Sequence, residues 1–424
     1  MPTFTLAFLL ILTAGTLLQL WLAARQARSV ASHREQVPAA FAHHISPEDH
    51  RKAADYTLAR LGIERWRLFA SALIVFAWTV GGGLEWLTRG VAALPLTAFW
   101  EGVVLLLAVF LVDGLLELPL QIWSTFGVER RFGFNRTTPL RFARDKLLGL
   151  ILLLLLGTPL LAAVLWLMHQ AGDTWWLWAW LVWMGFTLLL TWIFPTWIAP
   201  LFNRFEPLAD GPLKQRLERL LTRCGFRSNG MFVMDGSSRS SHGNAYFTGF
   251  GNNKRIVFYD TLLEGLQDAQ VEAVLAHELG HFKRRHVIKM LVLNAALSLA
   301  GLALLAWLAW QAWFYADLGV TLQSPATALA LFILVLPVFG VWVSPLLSML
   351  SRRHEFEADA FAAQQASAQA LIDGLLGMYR DNASTLTPDR LYSAFHHSHP
   401  PAAERIRHLV RLNPAGEKLA AQAP

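Results

Sequence analysis

Two histidines four residues apart with a glutamate beside the first, His277, Glu278 and His281 in AVLAHELGHFKRRH, are the residues of this chain best placed to do chemistry. On a helix, a spacing of four puts both imidazoles on one face about one turn apart, where they can share a single Zn²⁺; Glu278 beside them is free to handle a water. That combination supports metal-assisted hydrolysis. A plainer reading competes with it: a basic helix end with histidines at a membrane interface, because the same string runs on into VIKMLVLNA.

The elements that must position these residues are mostly apolar. The 424-residue chain is 54% hydrophobic and only 16% charged, has 18 Trp and a positive mean hydropathy, so lipid is the solvent expected for much of it. Seven runs of the length that spans about 30 Å of hydrocarbon as helix fall near 3–24, 67–88, 96–123, 147–169, 175–199, 287–313 and 326–350. The first has no basic n-region and a long apolar core, so it reads as a retained anchor and not a cleaved signal peptide. The lone cysteine, Cys224, rules out an intrachain disulfide and suggests a reducing compartment for its domain.

Basic residues set the expected orientation. Arg25, Arg28, Arg34, Arg51, Lys52, Arg60 and Arg65 follow the first span, and Arg130, Arg131, Arg136, Arg141, Arg144 and Lys146 follow the third; the opposite loops hold little beyond Arg89. The N-terminus is therefore expected outside, with the C-terminus and both long polar segments in the cytoplasm. The net charge of +6 is modest and sits in these loops, so no nucleic-acid partner is expected.

A catalytic zinc needs a third protein ligand and an open position. Glu355, in SRRHEFEADAFA, lies just past the seventh run, and His281 lies just before the sixth. Those two spans are joined by a short loop, must run antiparallel, and so return their other ends to one place. Asp359, one turn after Glu355, can accept the outer N–H of a ligand histidine. The competing reading is a solvated charged helix after a span. In the polar segment before the zinc helix, PLKQRLERLLTRCGF reads as a helix, and MFVM, NAYFTGF and RIVFYD as strands, the last two joined by a Gly-Asn-Asn turn into a hairpin. The edge of NAYFTGF can pair with an extended peptide, and Asn244 at its start can add a side-chain hydrogen bond. Within the third span, Asp113 and Glu117 support a hydrated interior, since acids in a membrane normally face protein or water.

HELGHFKRRH and SRRHEFEADAFA, together with ERRFGFNRTT, PLFNRF, NAYFTGF, NKRIVFYDTLL and SHPPAAERI, resemble in order the integral-membrane CAAX prenyl protease family of zinc endopeptidases. The resemblance covers nearly the whole chain. It implies a mainly α, polytopic fold of seven transmembrane helices around a water-filled chamber, capped by a cytoplasmic α+β zinc protease domain. It implies one Zn²⁺ on His277, His281 and Glu355, Glu278 as base, His399 as donor to the oxyanion and Arg405 reinforcing that site. The expected division is 1–200 for helices one to five, 201–286 for the first part of the protease domain, 287–350 for helices six and seven, and 351–424 for its second part.

The substrate implied is a membrane-associated peptide or protein of the CAAX type, and the protein is expected to be a monomer in the bilayer. Asn135 and Arg136 are expected to tie their loop to the zinc domain. The end EKLAAQAP lacks paired lysines and the composition looks prokaryotic, which suggests a bacterial inner membrane and leaves open whether substrates carry a prenyl group. Two other functions stay open: a quality-control membrane protease, and a transporter or channel with a structural zinc.

Overall fold

The computed structural model describes residues 2–248 and 255–412. In chain order its helices are α1 (Thr3–Ser32), α2 (Pro47–Trp78), α3 (Gly83–Ala92), α4 (Ala98–Ile122), α5 (Pro139–Leu152), α6 (Thr158–Gln170), α7 (Trp175–Ile193), α8 (Ala199–Phe202), α9 (Pro212–Arg223), α10 (Asp260–Gly265), α11 (Asp268–Lys283), α12 (His286–Leu308), α13 (Ala312–Ala316), α14 (Pro325–Gln365), α15 (Ala368–Asp381), α16 (Arg390–His396) and α17 (Ala402–Leu412). The strands are β1 (Phe205–Pro207), β2 (Met231–Met234), β3 (Ala245–Thr248) and β4 (Arg255–Tyr259).

Six helical stretches are long and apolar enough to cross a membrane, and the bent pair α2 and α3 brings the number to seven. That pair corrects the continuous second span read from the sequence: the helix ends at Trp78 and resumes at Gly83 with a 51° bend. Three glycines cause the break. Gly82 has φ +79, and a Cβ on Gly81 or Gly83 would stand 2.8 Å from Ala77 Cα or 2.7 Å from its carbonyl oxygen, so only glycine lets the chain fold back this tightly. At the other end of the bundle, α14 runs unbroken past the expected end of the seventh span, so the boundary at 350 falls inside a helix.

The spanning helices touch in a ring: α1 on α2, α3 on α4, α4 on α6, α6 on α7, α7 on α12, α12 on α14, and α14 back on α1. A core built from Phe8, Trp78, Leu106, Leu165, Phe314 and Leu331 fills one end of it. Beyond that plug the ring is hollow. No residue of α4 after Val109 is buried, none of α12 between His286 and Leu305, and none of α14 between Val335 and His354. Residues in these stretches are at most partly covered, which leaves open space on the inner face of the ring and makes this half a chamber. Between the neighbouring helices α2 and α4, Arg67 pairs with Glu117 at 3.5 Å, and Trp78 Nε1 donates to Asp113 at 2.5 Å.

A small sheet and the remaining helices cap the open end. Strand order is β1-β2-β4-β3, with β2 and β4 parallel and the other pairs antiparallel. The antiparallel β3 and β4 pairing matches the expected hairpin, and β3 is an edge strand of the sheet; the Gly-Asn-Asn turn lies outside the described residues. β1 was not legible, being only three residues long. The loop after α4 docks on this cap, where Asn135 bridges Ser240 and Arg136 N–H donates to the Arg239 carbonyl at 3.0 Å. The end of α1 docks as well, with Arg25 on Asp389 at 2.9 Å.

Candidate metal centre and active site

Helix α11 begins at a capping box in which Gln267 and Gln270 each bond the other's backbone, and its buried face is packed against α14. Contact is closest at Gly280, where an added Cβ would lie 2.9 Å from Ala358 Cα. This glycine of HELGH against the alanine of EFEAD lets two helices distant in sequence bring His277, His281 and Glu355 together.

His277 Nε2 and His281 Nε2 are 3.2 Å apart, and the Glu355 carboxylate reaches them at 3.4 Å from Oε2 and 3.3 Å from Oε1. On a tetrahedral ion with bonds near 2.0–2.2 Å, neighbouring donors stand about 3.3 Å apart, so the donor set fits one zinc-sized ion. Glu355 is 3% exposed, and its Oε2 has no hydrogen-bond partner among the described residues. A cation would supply that partner.

Behind the cluster, His277 Nδ1 lies 2.9 Å from Asp359 Oδ1. Arg405 donates to both oxygens of the same carboxylate, from Nε at 2.9 Å and Nη2 at 2.5 Å, and its Nη1 is 3.7 Å from Glu355. Arg405 is thus a buried brace beneath the candidate ligands. Its place follows from SHPPAAERI: the Pro401 carbonyl accepts from Arg405 N–H at 3.1 Å, setting the first turn of α17. His399, just before the prolines, points Nε2 at Glu355 Oε1 from 3.4 Å. The loop carrying it is held by Arg352 of α14, which donates from Nη1 to the carbonyls of Ser393, Ala394 and His397 at 2.9, 3.3 and 3.2 Å. Beside His399 a cavity of about 470 Å³, lined by Tyr56, Arg60, Glu64, Tyr392 and His397, extends toward α2.

Burial raises the Glu278 carboxyl above the usual carboxylate range, against the pull of His277 and His281. For His277, burial and the charge of Arg405 oppose protonation, but the bonds to Asp359 and Glu355 outweigh them and raise it to about 9. Asn244 is exposed and its Oδ1 accepts from Ala245 N–H at 2.8 Å; it lies just before the edge strand β3.

Sequence reasoning gave no role to Arg352, His286 or Glu357. Their signal was a second basic and acidic residue set inside the same two motifs, HELGHFKRRH and SRRHEFEADAFA.

Comparison with known proteins agrees with this architecture. Residues 26–204 match the family described as CAAX prenyl protease N-terminal, five membrane helices, and residues 207–413 match peptidase family M48. The chain is 34% identical to the CAAX prenyl protease 1 homolog of Arabidopsis thaliana, over 86% of this chain and 88% of that one. With the Homo sapiens homolog it shares 31%, over 92% of each. Its fold superposes on the crystal structure of S. mikatae Ste24p with a TM-score of 0.89 and 28% identity, covering 96% of this chain and 99% of the other. These matches set aside the transporter reading: the chain belongs to the integral-membrane CAAX prenyl protease branch of peptidase family M48, and is a multi-pass membrane metalloendopeptidase.

Proposed function

We propose that His277, His281 and Glu355 hold one Zn²⁺ per chain, that Glu278 is the catalytic base, and that the enzyme cuts peptide bonds near the C-terminus of membrane-associated proteins. The observation that carries this is the donor triangle, buried at His277 and Glu355, whose separations suit one tetrahedral ion. The substrate class rests on the relatives' name, CAAX prenyl protease 1.

When bound, the ion supplies Lewis acidity, polarising a carbonyl and lowering the pKa of a water toward about 7. Glu278 takes a proton from the attacking water and returns it to the leaving amine; a carboxyl raised by burial is suited to both transfers. Ser398 Oγ is 3.0 Å from His399 Nδ1. With the hydroxyl donating there, the ring proton sits on Nε2, facing the cluster, where it can bond the developing oxyanion. Asp359, braced by Arg405, keeps His277 turned toward the ion. The free edge of β3 can take an extended peptide main chain to main chain, with Asn244 adding a side-chain contact.

The chain acts as a monomer in the bilayer, with its N-terminus outside and the catalytic cap on the cytoplasmic side, as the basic loops direct; a bacterial inner membrane suits this arrangement. Substrates anchored in or near the membrane would meet the zinc through the chamber. A C-terminal peptide with and without a farnesyl group is the test. Zinc-dependent cleavage of both makes the lipid optional, preference for the farnesylated form points to a lipid-accepting chamber, and cleavage of neither contradicts the substrate class. Offered outside sealed inside-out vesicles, the peptide is cut only if the catalytic cap is cytoplasmic.

A further inference from the structure

Two buried histidines, His286 and His354, lie beside the ligand cluster and take no part in the steps above. Their rings stack with centroids 4.0 Å apart and planes 11° from parallel. His286 Nδ1 is 3.1 Å from His281 Nδ1, and His286 Nε2 is 3.1 Å from Glu357 Oε2.

We infer that His286 and Glu357 form a positioning arm that fixes the orientation and tautomer of His281. The inference rests on the reading that His281 is a metal ligand. A neutral imidazole has one N–H and one acceptor nitrogen. With Nε2 of His281 offered to an ion, its proton is on Nδ1, which must donate to Nδ1 of His286. The proton of His286 is then on Nε2, donated to the Glu357 carboxylate. Every donor in the chain is assigned once the ion end is set.

The backbone is bent to build this arm. Arg285 has φ 56 and ψ 33, a left-handed conformation that L residues with a side chain seldom adopt. It separates α11 from α12 and folds His286 back against His281, where a continuous helix would have carried it away. Each ligand histidine thereby ends on a carboxylate of α14: His277 directly on Asp359, His281 through His286 on Glu357. Glu357 is held in turn by Arg353 at 3.3 Å and Lys289 at 3.8 Å.

The test is zinc affinity, measured by chelator competition on the detergent-purified full chain. Outer partners of ligand histidines typically contribute 10–100-fold to metal affinity, and His286→Phe, which keeps an aromatic ring against His354 but has no acceptor, is expected to weaken zinc by about that factor. Glu357→Ala is expected to lose less, and Glu357→Gln least, because its amide oxygen still accepts from His286. The double variant His286→Phe/Glu357→Ala should be no weaker than His286→Phe alone, since Glu357 acts only through His286.

Parental zinc affinity in folded His286→Phe, or losses that multiply in the double variant, would overturn the arm. If His286→Phe does not fold, Glu357→Ala, at a side chain 30% exposed, carries the test, and parental affinity there overturns the arm equally. His281→Ala separates the two levels. Loss of zinc in that variant while His286→Phe keeps it rejects the arm alone, and zinc retained by His281→Ala rejects the ligand assignment beneath it.

Discussion

At the scale of single residues, the candidate centre rests on one carboxylate with two buried partners. Asp359 is fully buried, accepts from Arg405 through both oxygens and faces His277 Nδ1. Asp359→Asn should therefore weaken zinc binding about 10–100-fold. It should also cost about 3–5 kcal/mol of stability by leaving the Arg405 charge buried without its partner. Chelator competition and thermal unfolding read the two losses separately; an unchanged unfolding temperature would contradict the brace. Proton competition gives a second expectation. A histidine raised to about 9 by Asp359 and Glu355 is protonated below that pH, and an ion needs it neutral, so zinc affinity should rise with pH from the ordinary imidazole range up to about 9. The slope should approach about tenfold per pH unit, one proton released per ion, and a flat profile would contradict the pairing.

At the scale of elements, the meeting of α11 and α14 decides whether there is a centre at all. Gly280→Ala would put a methyl 2.9 Å from Ala358 Cα and 3.0 Å from its carbonyl oxygen, and backbone cannot give way as a flexible side chain can. The expected cost is about 1–3 kcal/mol, with a weakened zinc site because Glu355 shifts relative to His277 and His281. Gly62→Ala is the contrast: nothing lies within 4 Å of the new methyl, and a helical alanine should gain up to about 1 kcal/mol over glycine. Unfolding temperatures of the two variants give the comparison.

Much of this element layout was legible. Spacing placed His277, Glu278 and His281 on one helical turn, and antiparallel neighbours explained why Glu355 returns to them. The arm through His286 was not legible, because it depends on a left-handed Arg285 that no periodicity signals. The break at Gly81, Gly82 and Gly83 was missed for a related reason: hydropathy continues across it on both sides, and the cause is backbone geometry. The cap's β1 and the clamp by Arg352 depend on tertiary contacts alone.

At the scale of the molecule, a ring of apolar helices plugged at one end and hollow at the other holds a largely buried donor triangle over its open half. The fold accounts for a candidate metal centre next to membrane-length helices: α11 is followed directly by α12, α14 continues from its apolar stretch without a break, and the two bring His277, His281 and Glu355 together. The most direct test measures metal content and peptide cleavage on the same preparations of the parent chain, Glu278→Gln and Glu355→Ala. The parent should hold one zinc per chain and cleave. Glu278→Gln should keep its zinc and lose about 10²–10⁴-fold in rate, the usual range for a general base, and Glu355→Ala should lose both metal and activity. Undiminished cleavage by zinc-loaded Glu278→Gln, or full zinc content and activity in Glu355→Ala, would contradict the account.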